Sequence, residues 1–104
     1  MNRQFAFFLL PLAAVVQLAY AHSPICDCYD NGDNTITCEG GFTDGAPAAG
    51  VPMRILDRAG KILIEGAMSD QSDFTFTKPE GDFHVEFEGG VGHVIQIDGR
   101  DIEE

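Results

Sequence analysis

The chain has 104 residues, enough for one domain, and carries 17 acidic against 6 basic side chains, a net charge of −11. That balance excludes a nucleic-acid-binding protein of the usual basic kind. It also excludes a protein that binds an anionic membrane by electrostatic attraction. The hydrophobic fraction of 44% is too high for a disordered acidic tail.

The first predicted element is a secretory signal peptide over residues 1–21. Arg3 and the N-terminal amine form a short positive region, an apolar stretch follows, and Ala19-Tyr20-Ala21 has the A-x-A form of a cleavage site. Cleavage after Ala21 predicts a periplasmic protein that begins at His22 and does not insert in the membrane. The exported part has 83 residues and, because Arg3 is the one charged residue removed, a net charge of −12.

The next segment, residues 22–46, is predicted to form a hairpin that carries all three cysteines, Cys26, Cys28 and Cys38. An odd count leaves at least one thiol unpaired within the chain, and an exported protein favours a disulfide. The turn sequence Asp30–Asn34 brings either Cys26 or Cys28 opposite Cys38, and the sequence leaves the choice open. The bond closes a loop of roughly 10–12 residues, worth about 2–3 kcal/mol to a small domain.

Residues 47–104 are predicted to form an antiparallel β-sandwich, because glycine-containing turn dipeptides alternate with short runs of period-two hydrophobicity. No stretch after residue 22 has the 3.6-residue period of a helix. Residues 22–104 are therefore predicted to be one all-β domain of about seven strands. The runs that predict strands are Thr35–Cys38, Met53–Leu56, Ile62–Ile64, Phe74–Thr77, Phe83–Glu88 and Ile95–Ile97.

Four sequence segments between residues 47 and 98 follow a common order. They are Ala49–Asp57, with the strand opening Gly50-Val51-Pro52; Ala59–Leu63, with the turn Gly60-Lys61; Ser69–Phe76; and Pro79–Val85. This order resembles the transthyretin-like, or carboxypeptidase-regulatory-like, β-sandwich. Asp73 stands where that family usually has Gly, and Ser69 where it has Thr. The resemblance implies the fold and says little about function, because these modules serve many hosts.

A glycine-rich turn that ends in histidine follows at Gly89-Gly90-Val91-Gly92-His93. Such a turn, late in such a domain, resembles small exported domains associated with nickel and cobalt uptake systems. The resemblance implies a protein that sits outside the membrane beside a metal-uptake permease.

The candidate metal ligands are His22, two cysteines and the remaining histidines. As the first residue of the processed chain, His22 offers its amine and its imidazole nitrogen together, a chelate that needs one more histidine, His84 or His93. The further ligands could equally be Cys26 and Cys28. Thiolates with imidazole favour Cu(I) or Zn, whereas nitrogen-rich sets favour Cu(II) or Ni(II).

The two downstream histidines also have ordinary explanations. His84 falls with Glu86 and Glu88 on the polar face of its strand, where an exposed histidine is typical. His93 shares a face with Ile95 and Ile97, which predicts a partly buried, hydrogen-bonded ring.

These features predict an exported, soluble metal-binding accessory protein that delivers or buffers nickel, cobalt or copper for an uptake permease. The alternative is a β-sandwich interaction module that binds another envelope protein and uses its cysteines only to form a stabilising disulfide. The chain has no G-x-S-x-G motif, and its cysteines form C-x-C instead of the C-x-x-C of thiol oxidoreductases. The sequence therefore predicts neither an enzyme nor a nucleic-acid partner.

Overall fold

The computed structural model describes residues 22–104, so the signal peptide predicted at 1–21 lies outside the described residues. The described part contains seven strands and one short 3-10 turn, and the all-β prediction is confirmed. In chain order these are β1 (Pro24–Asp30), β2 (Thr35–Phe42), β3 (Pro52–Asp57), β4 (Ile62–Ala67), β5 (Asp73–Thr77), β6 (Phe83–Glu88), β7 (Val94–Asp98) and the turn Gly99–Asp101.

The strands form two antiparallel sheets that pack face to face. One sheet has three strands in the order β1-β2-β5, and the other has four in the order β4-β3-β6-β7. The cysteine-carrying hairpin of β1 and β2 thus supplies two of the three strands of one layer. No helix long and apolar enough to cross a bilayer is present in residues 22–104.

Period-two alternation explains which side chains form the core between the sheets. Along β6 the residues alternate between buried and partly exposed, and Phe83, Val85 and Phe87 point inward. Met53 and Ile55 of β3 meet them from the neighbouring strand of the same sheet. The opposite sheet contributes the inward residues Cys26, Ile36, Cys38, Phe42 and Phe76.

The C-terminal segment closes the sandwich beside β1. The backbone N–H of Asp30, the last residue of β1, donates to the carbonyl of Glu103 at 2.9 Å. Ile102 packs against the core as a partly buried side chain. The residues after the 3-10 turn therefore belong to the folded domain.

Candidate metal centres

Two of the three cysteines are joined, and the strand register explains which two. The inward face of β1 carries both Cys26 and Cys28, because they are two positions apart. In the β1–β2 ladder Cys28 lies directly opposite Cys38, whereas Cys26 lies opposite Gly40. A disulfide joins Cys28 and Cys38, whose Cα atoms are 3.9 Å apart, and this confirms the disulfide prediction.

Cys26 remains a free thiol inside the core. Its side chain is buried, at 8% exposure. Burial and, to a lesser extent, the neighbouring carboxylate of Asp27 raise the pKa of this thiol to about 12. Since the thiolate is the reactive form of cysteine, Cys26 in the oxidised protein is an inert thiol.

The three sulfur atoms nevertheless form a cluster. The Sγ atoms of Cys26, Cys28 and Cys38 all lie within 4.8 Å of one another. Within residues 22–104 this is the one set of three or more His, Cys, Asp or Glu side chains whose ligand atoms are that close. The sequence-predicted metal and disulfide residues Cys26 and Cys28 thus belong to a single sulfur group.

His22 lies just before β1 and rests on the end of β2. Its ring stacks on Phe42, with ring centroids 4.1 Å apart and the planes 13° from parallel. Its Nδ1 donates to Oδ2 of Asp44 at 2.8 Å. The backbone N–H of Thr43 donates to the carbonyl of Ser23, and the N–H of Ser23 donates to the hydroxyl of Thr43. These two bonds fix the backbone directly after His22. His22 is therefore an oriented side chain with a carboxylate beside its ring.

Asp44 is a residue that the sequence did not single out. The hydrogen bond from His22, and after it the backbone N–H of Ala46, lower the pKa of Asp44. Its Asp-Gly turn signal indicated only a bend in the chain, and nothing local relates it to a histidine 22 residues earlier. Only the pairing of β1 with β2 brings the two side chains together.

His93 lies at the same end of the sandwich as His22. The turn between β6 and β7 is closed by the N–H of Gly89, which donates to the carbonyl of His93 at 2.9 Å. Gly89 packs so tightly on the start of β1 that a Cβ placed on it would lie 2.9 Å from the Cβ of Pro24. The ring of His93 is exposed, so the expectation of a partly buried histidine is wrong. It precedes β7, outside the ladder that would have turned it toward the core.

His84 lies toward the opposite end of β6. It pairs in register with Asp98 of β7, and its Nε2 is 3.5 Å from a carboxylate oxygen of Glu86. As the sequence predicted, it shares the outer face with Glu86 and Glu88. Five residues of extended strand separate His84 from Gly89, about 16 Å. One metal ion cannot be bound by both His84 and His93 directly.

A small cavity of about 170 Å³ borders His84, and its charged groups already have partners. The guanidinium of Arg100 makes two hydrogen bonds to Asp98, at 3.2 and 2.8 Å. These bonds and the backbone N–H of Arg100 lower the pKa of Asp98 to about 2. Arg58 pairs with Asp82 at 3.2 Å. The cavity therefore offers no unpartnered charge to a ligand.

The predicted metal residues are thus divided among three places. Cys26 is four extended residues from His22, about 13 Å along the chain. The sulfur cluster lies in the core, His22 and His93 lie at the end where Pro24 meets Gly89, and His84 lies toward the other end of its sheet.

No protein-family model matches this chain, and neither a curated protein nor a solved structure matches it. The resemblance of residues 47–98 to transthyretin-like domains stays a prediction. So does the resemblance of Gly89–His93 to domains of nickel and cobalt uptake systems. Any functional conclusion therefore has to come from the sites themselves.

Proposed function

We propose that the protein is an exported metal-binding accessory protein that delivers or buffers nickel, cobalt or copper for a membrane uptake permease. In this proposal the ion is cargo and the protein is not an enzyme. The observation that carries it is the pairing of His22 with Asp44 at the end of the sandwich where Gly89, at the start of the turn that ends at His93, packs against Pro24. The proposed ligands are the amine and Nδ1 of His22, with a carboxylate oxygen of Asp44 and a ring nitrogen of His93.

Processing after Ala21 completes this ligand set. It frees the α-amine of His22, so that one residue supplies two nitrogen donors that chelate together. The Nδ1 proton that now bonds to Asp44 has to leave Nδ1 when a metal binds there, and the neutral ring then carries its proton on Nε2. Metal binding therefore replaces this hydrogen bond with one coordinate bond from Nδ1 and one from the α-amine, at a ring that is already oriented.

The donor atoms select the class of ion. Nitrogen with carboxylate oxygen suits Cu(II) and Ni(II), and Co(II) to a lesser degree, because these ions favour imidazole and amine ligands. The surrounding charge of −12 on the exported residues raises the local concentration of cations. Both features support capture of a divalent transition ion at this end of the protein.

Titration of the processed chain, beginning at His22, with Ni²⁺, Co²⁺, Cu²⁺ and Zn²⁺ by calorimetry tests the proposal. The matched control is the same chain with its α-amine acetylated, which keeps every side chain and removes one donor. We expect one ion per chain and at least a tenfold weaker affinity after acetylation. His93→Asn weakens binding similarly, while His84→Asn, which alters the far end of the sheet, leaves it unchanged.

Equal affinity of the free and acetylated chains contradicts the site, and so does loss of binding in His84→Asn alone.

The second candidate function is the interaction module without metal. The buried, inert thiol of Cys26 beside a formed disulfide favours a purely structural role for the cysteines. Absence of micromolar binding for all four ions leaves this second function as the better one.

A further inference from the structure

The sulfur cluster is not used by the proposed function, and it has a chemistry of its own. We infer that reduction of the Cys28–Cys38 disulfide by a dithiol turns Cys26, Cys28 and Cys38 into a three-sulfur site for Cu(I). This site lies in the core, separate from the His22 end. It would be available only when the disulfide is open.

The spacing of the sulfurs fits a three-coordinate metal. All three Sγ atoms lie within 4.8 Å of one another. Bonds of about 2.3 Å to a metal at the centre of a triangle require sulfurs about 4 Å apart. Two adjacent strands hold the cluster, since Cys26 and Cys28 share the inward face of β1 and Cys38 lies opposite Cys28 on β2. After reduction, the side chains of Cys28 and Cys38 have to rotate within the paired strands until their sulfurs are about 4 Å apart.

The number and type of ligands favour Cu(I). Structural zinc needs four ligands, and within residues 22–104 no His, Cys, Asp or Glu joins the three cysteines as a fourth. Soft thiolates select Cu(I) over hard ions. Cys38 is fully buried and Cys26 nearly so, which excludes the water ligands that a hard ion would keep. Cys28 is partly exposed, so it is the least buried of the three cysteines.

The redox step balances with the dithiol as reductant. The dithiol passes two electrons and two protons to the disulfide, giving the thiols of Cys28 and Cys38 and an oxidised dithiol. Cu(I) then replaces the protons of the coordinating thiols and keeps its oxidation state.

A competition titration against a chromophoric Cu(I) chelator tests this inference. Chain 22–104 is reduced with dithiothreitol, desalted without oxygen and titrated with Cu(I). We expect one Cu(I) per reduced chain, bound at least 100-fold more tightly than by the disulfide-intact chain or by reduced Cys26→Ala. The α-acetylated chain binds Cu(I) as the free chain does, so failure of the His22 site and failure of this site are distinguishable.

Equal Cu(I) affinity in reduced wild type and reduced Cys26→Ala overturns the inference, because the third sulfur would then be unused. Circular dichroism covers the case in which reduction unfolds the chain. Restoration of the strand spectrum by one equivalent of Cu(I), lost in Cys26→Ala, supports the site, since metal binding then drives folding. A reduced chain that stays unfolded with Cu(I) present contradicts it.

Discussion

At the scale of single residues, two cysteines on the same face of one strand differ in oxidation state: Cys28 is in a disulfide and Cys26 is a free thiol. Cys28 is oxidised because the ladder sets it opposite Cys38, while Cys26 faces Gly40, which has no side chain to react with. The C-x-C spacing predicts that both side chains point to the same face, but it does not specify which residue of β2 lies opposite each cysteine. One residue of slip would have turned both cysteines outward.

The raised pKa of Cys26 gives a prediction for its reactivity. At pH 8 a thiol with a pKa of about 12 has on the order of 1000-fold less thiolate than one at the ordinary value of 9.0. Its higher intrinsic nucleophilicity recovers about 20-fold. We therefore expect alkylation of the disulfide-intact chain by iodoacetamide to be at least about 50-fold slower when folded than in denaturant.

The direction of the pH dependence follows from the same shift. As pH rises above 9 the unfolded thiol becomes fully ionised while the folded thiol still gains thiolate, so the ratio of the two rates falls toward higher pH. Mass spectrometry counts one modified thiol per chain in denaturant. Fast alkylation of the folded chain at pH 8 would show that Cys26 is neither buried nor inert.

At the scale of elements, β2 is the central strand of its sheet and carries two adjacent glycines with opposite surroundings. Gly40 faces the core, where a Cβ would lie 2.6 Å from a ring carbon of Phe87 and 3.2 Å from the terminal methyl of Met68. Gly41 faces away, and its nearest neighbour would be the carbonyl oxygen of Ala46 at 3.9 Å. The close approach of the two sheets at Phe87 thus depends on a missing side chain.

We expect Gly40→Ala to lower the free energy of unfolding by about 1–3 kcal/mol, because the added methyl overpacks a site filled by an aromatic ring. Gly41→Ala is the matched control and should change it by no more than about 0.5 kcal/mol. Urea denaturation followed by circular dichroism measures both. Similar losses in the two variants would mean that the contact with Phe87 does not set the requirement for glycine at position 40.

At the scale of the whole molecule, acidic side chains outnumber basic ones so strongly that several face one another. On the outer face of the three-stranded sheet, Asp27, Glu39 and Asp73 occupy directly opposed positions on three successive strands. Like charges placed opposite each other on a sheet are destabilising. Glu39 is the middle member and also accepts a hydrogen bond from the hydroxyl of Tyr29 at 3.1 Å.

We expect Glu39→Gln to stabilise the protein by about 0.2–1 kcal/mol at low ionic strength, since it removes repulsion from both sides and keeps an oxygen for Tyr29. Salt screens exposed charges, so the gain should shrink in about 1 M salt, where the screening length is about 3 Å. Thermal unfolding at the two salt concentrations provides the comparison. Glu80→Gln, outside the row, is the control; an equal gain there would assign the effect to net charge alone.

Much of the fold follows from local pattern. The alternation of Phe83, Val85 and Phe87 predicted β6 and its buried face, and the glycine-rich turns predicted how often the chain reverses. The Asp30–Asn34 turn predicted the β1–β2 hairpin and a disulfide to Cys38. These features depend on residues close together in the chain, where side-chain period and turn propensity act.

The candidate sites depend on contacts that no local pattern contains. By itself the sequence determined an all-β chain of about seven strands with its cysteines on one hairpin, because strand period and turn residues are local properties. Only the tertiary structure decided that Cys28 is bonded, that Asp44 meets His22, and that the turn ending at His93 lies at the same end of the sandwich as His22. Those outcomes follow from strand register and sheet packing, which are fixed by the burial of the whole core.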